Sequence, residues 1–422
     1  MKLLKRYWPF LVILVIALGM GLRFYRINDV QAFGWDQARD AWLTRDIIQG
    51  KMVLNGPRTG VGHFHLGPLW YYLLVPFYLM TGMDPVAANY LNILLNLANF
   101  MAIYLVTKKI FDDQAALFVT FFYAIDRYLI EFTRVSGNPS PIPGVAAVIF
   151  YCIYKVVYKN ESKFVFPLAF LTGMFFHLHF SAVFLPLIIL GSFALVKDRL
   201  KVFVNGLMSL PLFLVWFIPE VLYEIQSKST NVNLFSNFMK DYFINGFHLK
   251  FFLYRLYDGF IQFETMLSLP KISRYLVLAV PATYLALVAF DRNRKNRIMA
   301  YLTMLWFLVP AFGYSFYAGT TSEYYMLMTS MLVIYVIYYF FKKAFSFKSK
   351  LPAVVLSACF LVFVYFQVQP VVTRRIEGGL NKQKREARER IKTNSKIRYN
   401  EGDIKAYLWQ VWVEDKKNEI HK

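Results

Sequence analysis

The stretch VAANYLNILLNLANFMAIYLVTKK, residues 86–109, decides the fold. Twenty-two residues without a formal charge, 86–107, end on Lys108 and Lys109. Wound as helix at about 1.5 Å per residue, such a run covers the roughly 30 Å of a bilayer's apolar core. Lipid leaves no other local choice, because every amide must find its partner inside its own segment. Asn89, Asn92, Asn96 and Asn99 recur at spacings of three, four and three, one polar stripe down the helix. The stripe reads as interhelical hydrogen-bonding glue, with a substrate path as the alternative.

Runs of this kind recur along the 422 residues, which are 57% hydrophobic and only 17% charged, so burying them all in one soluble core is excluded. Candidate spans lie near 8–24, 86–107, 114–130, 141–157, 164–178, 181–196, 202–219, 275–290, 298–317, 324–341 and 351–369, about eleven. The fold class is an all-α polytopic membrane protein. The basic, then apolar, start of the chain lacks a small-x-small cleavage site and reads as a retained first helix. Cys152 and Cys359 both fall inside apolar runs and offer neither a disulfide framework nor a Cys-rich metal site.

The net charge of +21 is concentrated in short loops rather than in a nucleic-acid-binding face, and no nucleic-acid partner is expected. Lys108-Lys109 and the loops 155–163, 197–201, 292–297 and 342–350 alternate with connections poor in basic residues. This alternation puts the N-terminus and those loops in the cytoplasm. It leaves 25–85 and 220–274 as long outer loops of a transmembrane unit 1–369. The apolar segment 67–82 would invert that pattern if it crossed, so its aromatics place it as an interfacial or half-inserted helix. Parity puts the tail, 370–422, outside as a small cap, although its first part is basic. Within it an amphipathic helix is expected near 380–392, and the β-favouring run DIKAYLWQVWVED, 403–415, could form a short strand.

Polar residues can then be sorted by side. If residues 36–49 are helical, Asp36 and Asp40 stand at i and i+4 on one face, while Ala38, Ala41, Trp42 and Ile48 form an apolar face. Asp36 is then either a helix cap, with Asp40 pairing neighbouring arginines, or half of a functional carboxylate pair. His63, His65, His177 and His179, four of the six histidines, fall on the outer side, a distribution that suits a metal or phosphate site as well as structural histidines. In RVSGNPSPIPG, 134–144, three prolines forbid ordinary helix, and Arg134 is either an anion holder or a snorkelling interfacial arginine. The aromatic-rich outer loop 220–274 packs over a cavity, binds acceptor, or forms a simple interfacial helix pair.

Taken in order, these elements resemble the C-type superfamily of membrane glycosyltransferases, in particular protein O-mannosyltransferases and lipid A aminoarabinose transferases. The match rests on Asp36-Gln37 with Arg39-Asp40, on HFHLGPLWYYLL (63–74), on TGMDPVAANYLN (81–92) and on EFTRVSGNPSPIP (131–143). It is dense through roughly the first 180 residues and architectural afterwards. The resemblance implies transfer of a sugar from a polyprenyl-phosphate donor to a glycan, lipid or protein acceptor at the outer face of the plasma membrane, with inversion. It further implies Asp36 as general base or metal-organising carboxylate, with Asp40 in support. Arg134, His63, His65, Asn138, His179 and Arg39 would stand around the donor phosphate. A divalent metal ion, Mg or Mn, would be held by Asp36, His63 and His65. Three positions depart from the family pattern: Gln37 replaces a second acid, Leu66-Gly67 a basic residue and proline, and Asn138 an aspartate. A transporter should show two repeated halves with broken helices; the sequence has no such repeat. A polymerase or ligase of lipid-linked glycans shares the layout and stays open as an alternative.

Overall fold

The computed structural model describes residues 2–31, 33–60, 62–244, 248–266, 276–289, 291–319, 322–346, 348–373 and 379–392. A helix stands at each of the expected spans: Lys2–Phe24, Ala87–Ile110, Asp113–Ile125 with Arg127–Thr133, Ile142–Val157, Val165–Phe176, Leu185–Phe193, Arg199–Leu214, Leu276–Ala289, Arg294–Ser315, Ser330–Ser346 and Leu351–Thr373. Among the described residues six stretches are long and apolar enough to cross a membrane: Tyr7–Val30, Ala87–Ile110, Arg199–Ser227, Arg294–Ser315, Glu323–Ser346 and Leu351–Thr373. The protein is an all-α polytopic membrane protein. Its main core runs through the helices from Ala87 to Val157 and from Arg294 to Ser346. Leu351–Thr373 and Arg199–Ser227 are mostly unburied and turn apolar side chains outward, as lipid-facing helices do.

The expected span 114–130 breaks at Asp126. Its carboxylate accepts the Leu129 amide at 2.8 Å and so starts a second short helix, Arg127–Thr133. This bend carries the chain into the proline-rich turn. The helix Leu69–Met80, built on the doubtful segment 67–82, has 12 residues, about 18 Å, and is too short to cross. It lies against the acidic helix Trp35–Ile48 and buries Trp70, Tyr71, Leu74 and Tyr78.

The asparagine stripe is glue. Asn99 Nδ2 donates to the Ser140 carbonyl at 2.8 Å and its Oδ1 accepts the Gly144 amide at 3.0 Å, while Asn92 donates to the Thr133 carbonyl. Thr133 in turn donates to Asn96 Oδ1 at 3.1 Å. The stripe therefore fixes the turn that the prolines keep out of helix, replacing main-chain partners with side-chain ones.

The tail helix Leu380–Lys392 docks beside the acidic helix: Gln383 Oε1 accepts the Phe33 amide at 2.8 Å, the Leu380 amide donates to the Gln31 carbonyl at 2.6 Å, and Lys384 pairs with Asp84. The first part of the tail thus lies beside the acidic helix. The expected strand at 403–415 lies outside the described residues.

Candidate active site

The acidic helix starts where Gln37 folds back, its Oε1 accepting the Gly34 amide at 3.0 Å. The same side chain's Nε2 donates to the Ser136 carbonyl at 2.8 Å and ties the helix to the proline-rich turn. Gln37 is thus a strut where a second acid was the family pattern. Ala38 and Ala41 are buried against Leu69–Met80, which leaves the Asp36 and Asp40 face toward a cavity of about 560 Å³.

The two carboxylates share a face but not an environment. The Asp36 side chain is 69% exposed and the Asp40 side chain 5%. Arg39 joins them, Nη1 to Asp36 Oδ1 at 2.7 Å and Nη2 to Asp40 Oδ1 at 2.7 Å. Trp70 Nε1 donates to the other Asp40 oxygen at 2.7 Å. With both oxygens engaged inside the protein, Asp40 orients Arg39, and Asp36 is the carboxylate open to a substrate. Burial pushes the Asp40 carboxyl up to about 6, against the pull of Arg39 and the Trp70 hydrogen bond. Burial also works against the charge on Arg39, but Asp40 and Asp36 hold it protonated, above the usual arginine range.

Around the cavity stand Arg58, His63, Ser136, Asn138 and His179, with Trp35, Phe132, Tyr324 and Tyr325 among the aromatics of its wall. His63 adopts the left-handed backbone at φ 59°, a conformation a non-glycine residue holds at some cost. Arg58 Nε donates to the His63 carbonyl at 3.1 Å. His179 Nδ1 accepts the Ser181 amide at 3.1 Å, which puts its proton on Nε2. Burial pushes His179 down to about 4, so near neutral pH it offers a hydrogen bond and no charge.

Three expectations need correction. Arg134 does not face the cavity. It is 2% exposed, and its guanidinium donates to the Leu22 carbonyl at 2.8 Å and the Arg23 carbonyl at 3.3 Å, closing the C-terminus of the first helix. Arg23 does the same for Asp113–Ile125, reaching the Tyr123 carbonyl at 2.6 Å and the Ala124 carbonyl at 2.9 Å. Bare carbonyls at two helix ends outbid a surface anion for these arginines.

His65 also stays outside the cavity lining. Its Nδ1 is spent on the Gly56 carbonyl at 3.0 Å and its amide on Asn231 Oδ1 at 2.6 Å. Because His65 is turned away, Asp36, His63 and His65 do not form a ligand set, and among the described residues no group of three His, Cys, Asp or Glu could hold a metal ion. The donor set does not fit a divalent metal. His177 likewise belongs behind the site, its Nε2 at 2.6 Å from the Trp216 carbonyl. It explains Gly67, where a Cβ would stand 2.1 Å from His177 Nδ1.

A sequence profile of the dolichyl-phosphate-mannose-protein mannosyltransferase family matches residues 65–223. ArnT from Cupriavidus metallidurans, solved bound to undecaprenyl phosphate, superposes with a TM-score of 0.56 at 12% identity, over 96% of this chain and 75% of that one. Over residues 65–223 the sequence resembles that mannosyltransferase family, and over nearly its whole length the chain has the fold of ArnT. The archaeal oligosaccharyltransferase AglB from Archaeoglobus fulgidus, in complex with an inhibitory peptide and a dolichol-phosphate, shares the fold with a TM-score of 0.57 at 10% identity. That superposition covers 97% of this chain and 60% of AglB. A structure of the Archaeoglobus fulgidus oligosaccharyltransferase in complex with Zn and sulfate gives a TM-score of 0.55 at 10% identity, over 95% of this chain and 57% of that one. No curated protein sequence matches this chain.

Sequence reading missed Trp35, Arg58 and the tyrosines of the cavity wall. The signal for the tyrosines was present in YSFYAGTTSEYY, 314–325, an aromatic-flanked Gly/Ser/Thr link without basic charge between two spans. Phe238 and Phe243, from the stretch 220–274, line the cavity.

Proposed function

We infer that the enzyme moves a sugar from a polyprenyl-phosphate donor to an acceptor hydroxyl, with inversion, at the outer face of the plasma membrane. The observation that carries this reading is Asp36: a solvent-open carboxylate at the rim of the cavity, held by Arg39 and backed by the buried Asp40. The acceptor oxygen attacks C1 from the face opposite the phosphate. The C1–O bond to the acceptor forms as the C1–O bond to the phosphate breaks. Polyprenyl phosphate leaves with the electron pair, and the acceptor proton passes to Asp36.

Charge that grows on the leaving phosphate needs a cation. Arg39 is committed to two carboxylates and His179 is neutral, so the role falls to Arg58, with Asn138 and His63 as hydrogen-bonding neighbours on the same cavity. Among the described residues no ligand set for a divalent metal converges on the cavity. The alternating basic loops support a cytoplasmic N-terminus and an outer cavity. Within this reading, residues 1–369 form the transferase unit, 25–85 supply the base, and 370–422 cap it.

The experiment is direct: detergent-purified enzyme with radiolabelled polyprenyl-phosphate sugars, beside Asp36→Asn. Sugar transfer or slow donor hydrolysis by the parent and its loss in the variant are expected. Parent-like turnover by Asp36→Asn would remove the base assignment.

A further inference from the structure

The family profile ends at residue 223. The cavity does not: Tyr314, Tyr317, Tyr324 and Tyr325 come from beyond it and line the same space as the acidic helix. These rings brace one another. Tyr324 and Tyr325 meet edge to face at 4.7 Å, both touch His179 at 5.3 Å, and Tyr314 backs Tyr325 at 5.3 Å. Such an array presents fixed ring faces at low entropic cost. Trp35, one residue before Asp36, lines the same cavity and keeps 54% of its surface exposed. The Arg39 guanidinium stands over this ring at 5.9 Å from its centroid, and the rest of the indole is open to a ligand. Asp36 and Tyr324 line this one cavity, so the base and the aromatic wall border one space.

The chemistry that fits flat aromatic faces flanking a carboxylate and an arginine is a pyranose: its C–H face packs on a ring while its hydroxyls take the polar groups. A polypeptide is held by extending a sheet edge, by lying as a helix in an apolar groove, or as a proline-rich segment whose apolar rings lie on aromatics, and a carboxylate and an arginine among the rings suit hydroxyls better than proline rings. Among the described residues the only β-contact is the single bridge between Arg58 and His65, so there is no edge to extend. We propose that the acceptor is a saccharide, stacked between Trp35 and the Tyr324–Tyr325 pair with the attacking hydroxyl turned to Asp36. This rests on the glycosyltransferase reading and names the substrate class of the same cavity.

The test uses the full-length enzyme with a radiolabelled polyprenyl-phosphate sugar and two acceptor panels, methyl glycosides with their disaccharides, and Ser/Thr-containing peptides. Transfer to glycosides is expected. Trp35→Ala should raise the glycoside KM about tenfold, the loss of one ring contact, with the donor KM moving less than twofold and Trp35→Phe restoring most of it. Saturation-transfer NMR should show the ring-face C–H protons of the bound glycoside closest to protein aromatics. Transfer to peptides only, an unchanged glycoside KM in Trp35→Ala, or donor hydrolysis without transfer to any glycoside overturns the saccharide assignment. Absence of both hydrolysis and transfer would instead overturn the glycosyltransferase reading on which it stands.

Discussion

Arg134, which the sequence places at the phosphate, closes a helix end instead, and the phosphate role proposed for Arg58, which the sequence does not single out, is tested with it in a crossed pair of variants. In Arg134→Met the apolar stem is kept and the guanidinium removed. Two hydrogen bonds from a charged donor to carbonyls are lost, at 2.8 and 3.3 Å. At about 1.5 kcal/mol each, with a further fraction from the helix dipole, the cost is about 3–4 kcal/mol. With roughly 2.1 cal/mol/K of unfolding entropy per residue, that corresponds to a melting temperature lower by about 4 °C. Because the guanidinium does not line the cavity, the donor KM should stay within about twofold of the parent. Arg58→Gln should behave oppositely: an unmoved melting curve, a donor KM raised about tenfold, and a difference from the parent that narrows as salt screens the phosphate. Tryptophan-fluorescence melting in detergent and initial rates against donor concentration read both quantities from the same preparations. A raised donor KM in Arg134→Met with an unshifted melting curve would refute the reasoning and return that arginine to the phosphate.

The remaining predictions address the base, its support and the metal. Asp36→Asn should lower turnover by about 10²–10⁴-fold, the range for loss of a general base, with melting unchanged because the side chain is exposed; a loss under tenfold in single-turnover rates would sink the assignment. Asp40 titrates near 6, above the ordinary carboxylate range, so the stability gained by its burial is fully present below about pH 4 and is lost as pH rises through 6. Activity should run the other way: below about pH 6 protonated Asp40 releases Arg39 to Asp36, and kcat/KM should fall about tenfold per pH unit, a limb that Asp40→Asn removes. EDTA should leave initial rates within about twofold, since no ligand set converges among the described residues; abolition restored by Mn would contradict that. Gly67→Ala should cost about 1–3 kcal/mol in the melting assay, as its Cβ would fall 2.1 Å from His177 Nδ1.

What the sequence revealed and what it concealed divide along one physical line. Lipid solvation acts on each residue where it stands, so the spans, the short interfacial helix and even the asparagine stripe are legible from local pattern. Asn99 can only find partners on a neighbouring helix, and it does, 41 and 45 residues away. The i, i+4 placement of Asp36 and Asp40 is equally local. Their division into an open and a buried carboxylate is not, because it depends on Trp70 arriving 30 residues later and on the wall behind it. Arg134 misled for the same reason. Its position beside a proline-rich outer turn advertised an anion site, but its partners are carbonyls 111 and 112 residues away, in a helix whose end nothing in the sequence marks as uncapped. Histidine spacing misled again, since His65 is held in the backbone bridge to Arg58 and only His63 lines the cavity. Charged groups in a membrane protein go first to the strongest unmet need for a partner, and a bare helix end inside the protein is a stronger need than a ligand that visits. Arg58, exposed while lining the cavity, is on this argument the arginine proposed for the phosphate.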